Sequence, residues 1–408
     1  MRILFITDNF PPEVNAPATR TYEHCQEWLK QGVEVTVITC APNFPKGEVY
    51  PGYKNKIRQV EMMNGIRVIR VWSYITANEG FVKRILDFMS FGFMSFWAGL
   101  FVKTDVIIAT SPQFFTTPSA WLLSVFKRKP WVFEVRDLWP ESIKAVSAMN
   151  ESSRIYRSLE RLEMFLYRRA DQIITVTEAF KKNIAGRGIN EDKIHVVKNG
   201  ANLELFKPKE KCAELLEKHS LQGKFIVGYI GTHGMAHKLD FFLDFIKETE
   251  EDNIHFLFMG EGAEKQKLVK IAEEKNIKNV LFLDNVPKNV VIDYVSIVDA
   301  ALVHLKRSDT FKTVIPSKIF ESAAMKKPIL LGVEGESKDI IEGFNAGLCF
   351  TPENKESFLN CMYKMKDDKL AYQQFQKGCE DLVMAFDRKK LALKMLEHLQ
   401  SLTKAAKH

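Results

Sequence analysis

The chain predicts an α/β protein built of two doubly wound, Rossmann-like halves. Short apolar, β-branched runs alternate with stretches of helical spacing along most of the length, and the pattern restarts near residue 225. The length of 408 residues suits two domains at a prior of roughly 150 residues each.

Residues 2–7 (RILFIT) read as a strand ending in the turn-rich Asp8-Asn9-Phe10-Pro11-Pro12. Helical spacing from about Thr19 to Gln31 is stopped by Gly32, and the alternating run 33–39 (VEVTVIT) is the next strand, which completes a parallel βαβ unit. Further strands are expected at 66–72, 106–109, 131–135, 173–176 and 194–197. The second half opens with the strand 225–230 and the loop Gly231-Thr232-His233-Gly234, followed by a helix from about Leu239 to Glu248. A strand at 255–259, the turn Gly260-Glu261-Gly262, a helix to Lys275 and strands at 280–283, 300–305, 328–331 and 347–350 complete it. Pro208 and a Lys/Glu cluster within 200–222 mark the join. The expected domains are 1–200 and 201–385, with a C-terminal helix, 386–408, that packs back toward the first.

Composition narrows the function classes. The six cysteines form no Cys-x-x-Cys, which excludes the common zinc spacings and reads as reduced cytosolic thiols. The start resembles a strand rather than a signal peptide, so secretion is disfavoured. The net charge of +7 sits entirely in residues 1–200, with 27 Lys and Arg against 20 Asp and Glu; the remainder is balanced at 31 of each. No RNA- or DNA-binding signature accompanies that excess, so no nucleic acid is expected, and a membrane surface or phosphorylated substrate fits it. Residues 88–102 (FMSFGFMSFWAGLFV), flanked by Lys83, Arg84 and Lys103, are too short to span a bilayer at about 20 residues. They read either as a helix lying in the membrane interface or as a buried core helix.

Three segments carry chemistry. The loop Gly231 to Gly234 joins a strand to a helix, so its N–H groups and the helix dipole can hold a phosphate, or its glycines merely make a turn. In Pro316-Ser317-Lys318-Ile319-Phe320-Glu321, Ser317 can cap a helix on which Lys318 and Glu321 share a face. They can meet one ligand together, the ammonium on a diphosphate and the carboxylate on ribose hydroxyls, or form an exposed ion pair. Glu134, Arg136 and Asp137, within the charged phrase running to Ser142, lie where a strand ends, with Arg20 expected at the same edge. They read as a site or as an ion-pair cluster capping the next helix. Asp-x-Asp, His-Glu-x-x-His, Gly-x-Ser-x-Gly and the P-loop are absent, so a metal-dependent sugar-nucleotide site, a metalloprotease, a serine hydrolase and a P-loop ATPase are unsupported.

Taken in order, Pro11-Pro12-Glu13, Lys198-Asn199-Gly200-Ala201-Asn202, Gly231 to Gly234, Gly260-Glu261-Gly262 and Pro316 to Ala324 resemble family 4 of the retaining glycosyltransferases, which have the GT-B architecture. Arg136 to Ser142 and Pro316 to Glu321 are similar to its bacterial branch that builds O-antigen and capsule, including N-acetyl-L-fucosaminyl transferases. The resemblance implies a nucleotide-sugar donor on the second domain, facing an acceptor on the first across a cleft. Glu321 would hold the ribose, Lys318 with Gly231, His233 and Gly234 the diphosphate, and Gly260, Glu261, Gly262, Asn285 and Val286 the base. Asn199 and Gly200 would line the cleft.

Three positions depart from the family pattern: Thr313 replaces the first Glu of Glu-x(7)-Glu, Asn15 to Ala18 replace a Gly-Gly, and Arg136 stands where many relatives have His. The implied reaction is metal-free transfer, with Glu134 and Asp137 assisting the acceptor hydroxyl and Arg136 holding an acceptor phosphate. A polyprenyl-diphosphate-linked acceptor at the cytoplasmic face of the inner membrane would account for the charged, aromatic first half. The rival readings are a non-hydrolysing nucleotide-sugar epimerase and a catalytically silent nucleotide-sugar-binding partner of an assembly complex.

Overall fold

The computed structural model describes residues 1–44, 46–76, 81–111, 113–141 and 153–405. Two compact units emerge, Met1–Lys198 with Arg388–His408, and Asn199–Asp387. Ser142 and the rest of 142–152 lie outside the described residues.

The first unit contains β1 (Arg2–Ile6), α1 (Ala16–Lys30), β2 (Glu34–Cys40), β3 (Arg58–Met63), β4 (Ile66–Val71), α2 (Phe81–Leu100), β5 (Val106–Thr110) and α3 (Thr116–Lys127). It continues with β6 (Trp131–Val135), α4 (Arg154–Arg169), β7 (Gln172–Thr175), α5 (Glu178–Gly186) and β8 (Ile194–Val196). The sheet order is β3-β4-β2-β1-β5-β6-β7-β8, parallel except for the β3/β4 pair. The order reverses between β1 and β5, so their carboxyl ends frame the place where such sheets take ligands. Strand β3 was not expected from apolar spacing. It is an edge strand whose side chains are alternately exposed, and the signal for it is Asn64-Gly65, both at positive φ, in a two-residue hairpin turn.

α1 starts at Asn15, whose side chain accepts from the Ala18 N–H at 2.9 Å. Its buried face meets the last helix of the chain. There Trp28 Nε1 donates to the Ala392 carbonyl at 2.8 Å and Arg388 pairs with Glu23. That helix covers one side of the sheet with Met395, Leu396 and Leu399, all essentially buried.

The second unit holds α6 (Ala213–Lys218), β9 (Phe225–Ile230), α7 (Asp240–Leu243), β10 (Ile254–Met259), α8 (Lys265–Glu274), β11 (Val280–Leu283), α9 (Lys288–Ile297) and β12 (Ala300–His304). It closes with α10 (Lys318–Ala324), β13 (Ile329–Gly332), α11 (Glu336–Phe344), β14 (Gly347–Cys349), α12 (Lys355–Asp367) and α13 (Lys369–Ala385), after which α14 (Arg388–Ala405) returns to the first unit. Its sheet is wholly parallel, in the order β11-β10-β9-β12-β13-β14, and reverses between β9 and β12.

One expected element is corrected. The helix from Leu239 to Glu248 is broken into α7 and flanking 3₁₀ turns, 235–237 and 246–249. Lys238 takes a left-handed conformation and Phe245 leaves the helical region at φ −142°. There Phe241 packs edge to face on both Phe242 and Phe245, whose own rings are tilted against each other. No long helix dipole therefore stands behind the Gly231 loop.

Replacing Leu399 with Ala should cost roughly 2–5 kcal/mol, because α14 can only partly fill the void. Denaturant unfolding with hydrogen exchange should locate the loss in α14 and α1, while the second unit's transition stays in place.

Candidate active site

In the second unit, the loops at the sheet's reversal are locked together by backbone contact. A Cβ on Gly260 would lie 1.9 Å from the Gly231 carbonyl oxygen, and one on Gly262 would lie 2.3 Å from that of His233. Both glycines have left-handed φ, 147° and 156°, so the turn after β10 closes only without side chains. The clasp is completed by the His233 N–H donating to the Glu261 carbonyl and the Glu264 N–H donating to the His233 carbonyl, at 2.9 and 3.0 Å.

The clasp presents Gly231 to Lys318. The Lys318 ammonium is buried with no hydrogen-bond partner and sits 3.5 Å from the centre of the Tyr229 ring. A Cβ on Gly231 would come within 2.9 Å of it. Burial pushes the Lys318 pKa down to about 7, which Glu321 partly opposes. A cation–π contact offsets only part of such a desolvation cost, so the nitrogen has unused capacity for an anion. The expected alternative, an exposed Lys318–Glu321 pair, is not formed. Glu321 faces Lys288 at 3.6 Å, and Lys288 in turn lies over Phe206. A small pocket lined by Phe206, Ile230, Val291, Lys318, Glu321 and Ser322 adjoins them.

Ser317 occupies the position before α10 but does not cap it. Ser317 is itself helical at φ −62°, ψ −25°, and the N–H groups of Ile319 and Phe320 bond to the Pro316 and Ser317 carbonyls instead. His233 is buried rather than a surface turn residue, and neither ring nitrogen has a partner. Burial first, then Lys265 and Lys318, lowers its pKa to about 4, so at neutral pH it is a neutral N–H donor and not a cation. Gly234 leads into the 3₁₀ turn at 235–237.

Gly260 donates its N–H to the Leu283 carbonyl at 3.0 Å, which sets the turn after β10 beside the end of β11. Asn285 is exposed there and Val286 half-buried. The Glu261 carboxylate is bonded to Lys265, which also pairs with Asp284. Asn199 is half-buried at the first position of the second unit.

In the first unit, Glu134 is 1% exposed and pairs with Arg20 at 3.0 Å. Two further Arg20 nitrogens donate to the Val197 and Lys198 carbonyls, each at 2.9 Å. Through Oε1, Glu134 thus helps to hold β6, α1 and the end of β8 together, while its Oε2 is buried with no hydrogen-bond partner. Arg136 and Asp137 take the next positions, their N–H groups both donating to the Ser111 hydroxyl. Arg136 Nη1 donates to the Pro17 carbonyl at 3.2 Å, and Nε has no partner. Burial lowers its pKa to about 10.

Two carboxylates overlooked in the sequence belong to this edge. Burial raises the pKa of Asp8, which follows β1. Burial likewise pushes Glu13 up to about 7 while it accepts from the Asn43 and Phe44 N–H groups at 2.8 and 2.9 Å. Asp8 was accessible by the rule that singled out Glu134, a charge at a strand's carboxyl end. Tyr229 and Lys288 left no such trace.

Comparison with known proteins adds a family. Residues 15–200 match the family described as Glycosyl transferase 4-like domain, and residues 195–381 match Glycosyl transferases group 1. A relative is WcaI of Escherichia coli (strain K12), a glycosyl transferase assigned to colanic acid biosynthesis. It is 23% identical over 374 residues, covering 88% of this chain and 90% of its own. Among solved structures, sucrose-phosphate synthase from Thermosynechococcus elongatus is similar with a TM-score of 0.79 at 16% identity, covering 99% of both chains. HepE of Anabaena, solved in complex with UDP and glucose, is similar with a TM-score of 0.74 at 14% identity, covering 98% of this chain and 100% of its own.

An anion placed on Lys318 should raise its depressed pKa, so binding takes up a proton once the pH exceeds about 7. Calorimetry of pyrophosphate binding at pH 8 in buffers of differing ionisation enthalpy should show this uptake, and Lys318→Met should abolish it. Uptake should fade below pH 6, where the free lysine is already charged.

Proposed function

The chain is a glycosyltransferase of GT-B fold and family-4-like kind, and from this premise we propose that it moves a sugar from a UDP-sugar to a polyprenyl-diphosphate-linked glycan during surface polysaccharide assembly. The observation that carries the donor half of this reading is the buried, unpartnered Lys318 ammonium above Tyr229. A diphosphate supplies the counter-charge this nitrogen lacks. The UDP and glucose bound by HepE, which shares the fold, support the choice of nucleotide, and the colanic acid assignment of WcaI supports the polysaccharide context.

On this reading the bond from the anomeric carbon to the diphosphate breaks as the acceptor oxygen bonds to that carbon on the same face. Configuration is retained, and the acceptor proton passes to the departing phosphate. Charge grows on the diphosphate in the transition state, where Lys318 and the neutral His233 N–H would stabilise it most. Glu321, set by Lys288, accepts from the ribose hydroxyls, and the backbone of Gly260 to Gly262 with Asn285 and Val286 meets the base. Arg136 holds an acceptor phosphate through its free Nε edge, and Asp137 orients the hydroxyl. On this reading Lys318, rather than a resident metal, supplies positive charge to the leaving group. Within the family, the phrases around Arg136 and Lys318 favour the branch of N-acetyl-L-fucosaminyl transferases, working at the cytoplasmic face of the inner membrane.

Lys318→Ala should lower kcat by about 10²–10³, the cost of one transition-state donor, without loss of stability, since it removes an uncompensated buried charge. Glu321→Ala should weaken UDP binding and abolish most transfer. Saturation-transfer NMR against a panel of nucleotide sugars identifies the donor. Wild-type turnover in either variant overturns the assignment of that residue, and isomerised donor formed without acceptor replaces transfer by epimerisation.

A further inference from the structure

Helices α2 and α3 form a tightly packed pair. A Cβ on Gly92 would come within 2.6 Å of the Phe115 carbonyl oxygen, and one on Gly99 within 2.5 Å of Leu123. The small residues let the helices approach until their outer faces merge. The inner face of α2, with Phe91, Ser95 and Ala98, is buried against the sheet. The outer face carries Phe93, Trp97 and, just past the helix, Phe101, exposed by 63%, 49% and 80%; α3 adds Leu122, Val125 and Phe126. Ring contacts make the surface continuous, Phe93 to Trp97 at 6.2 Å, Trp97 to Phe96 at 5.7 Å and Phe96 to Phe126 at 5.6 Å. Exposed aromatic area on this scale needs a partner.

The exposed charges from Phe88 to Phe133 are of one sign. Between Phe88 and Phe133 the sequence has four cations, Lys103, Lys127, Arg128 and Lys129, and one acid, Asp105. Asp105 is already paired with Arg2 at 2.8 Å. Lys127 caps the Leu100 and Val102 carbonyls, and the other three cations are exposed at the shared carboxyl end of both helices. Among the described residues no helix is long and apolar enough to cross a membrane. With one face already committed to the core, α2 can only lie flat.

We propose that the outer face of α2 and α3 docks on an anionic lipid bilayer, with Phe93, Trp97, Phe101 and Phe126 entering the headgroup and upper acyl region and Lys103, Arg128 and Lys129 meeting lipid phosphates. Aromatic side chains and a cationic border suit that interface. A protein partner would require groups of both signs at the rim to match its own. The inference rests on the membrane-linked acceptor of the proposed function, and it converts the alternatives for residues 88–102 into one helix with a core face and a lipid face.

The purified full chain should float with vesicles of phosphatidylcholine and phosphatidylglycerol and bind phosphatidylcholine vesicles weakly. Phe93→Ser, Trp97→Ser and Phe101→Ser together should weaken binding to the anionic vesicles at least about thirtyfold. Each of Lys103→Gln, Arg128→Gln and Lys129→Gln should weaken it about fivefold, the effect shrinking in high salt. A blue shift of tryptophan fluorescence on vesicle addition should disappear in Trp97→Phe while flotation persists. Calorimetry with UDP on the same preparations separates the two readings: intact UDP binding with no flotation overturns the docking surface alone. Sedimentation showing a wild-type dimer that the triple serine variant dissociates, with no vesicle binding, assigns the face to a second copy and also overturns the proposal.

Discussion

Leaving an ammonium without a hydrogen-bond partner in a dry site costs several kcal/mol, and a protein tolerates this only where the surrounding packing holds the group in place. Lys318 is held from below by the Tyr229 ring and from the side by Gly231. Gly231 is fixed in turn by the close approach of Gly260, and His233 by that of Gly262. The second unit's loops therefore act as one body, and the glycines that sequence reading treats as phosphate binders are first a means of bringing two strand ends into contact. Binding capacity follows from that contact: a socket made rigid before any ligand arrives needs no reorganisation to receive one.

The first unit handles buried charge in the opposite manner. Arg20 pairs with one oxygen of Glu134 and reaches two carbonyls besides, and the second Glu134 oxygen has no partner. Such a network specifies how β6, α1 and β8 meet. Arg136, two residues further along, has a bond to Pro17 and an unpartnered Nε, and is the group at this edge that retains donor capacity. Burial with partners and burial without them are thus properties of single atoms, a distinction that residue type alone does not make.

Most of the fold was legible because parallel strands buried on both faces read as plain apolar runs, as in 106–110, 131–135 and 225–230. Strand β3 escaped because its exposed edge carries no apolar run, and the helix after Gly234 was overcalled because 239–248 has helical spacing that aromatic packing overrides. The positions of Lys318 and Glu321 on a single short helix were legible from their spacing. Their actual partners, Tyr229 and Lys288, were not, since both contacts join segments tens of residues apart and depend on which way a strand faces. Glu134 shows the same limit from the other side: a carboxylate at a strand end announces a special place without disclosing whether it is vacant.

The path of the chain has a further consequence. The second unit, residues 199–387, is one uninterrupted stretch, while the first unit is completed only by α14. During synthesis the second unit can fold as soon as it emerges, whereas the earlier-made sheet waits with Trp28 and its neighbours uncovered until α14 has emerged as well. The earlier-made sheet is thus completed after the later-made unit, and in that interval its bare side is open to chaperones or to misassociation.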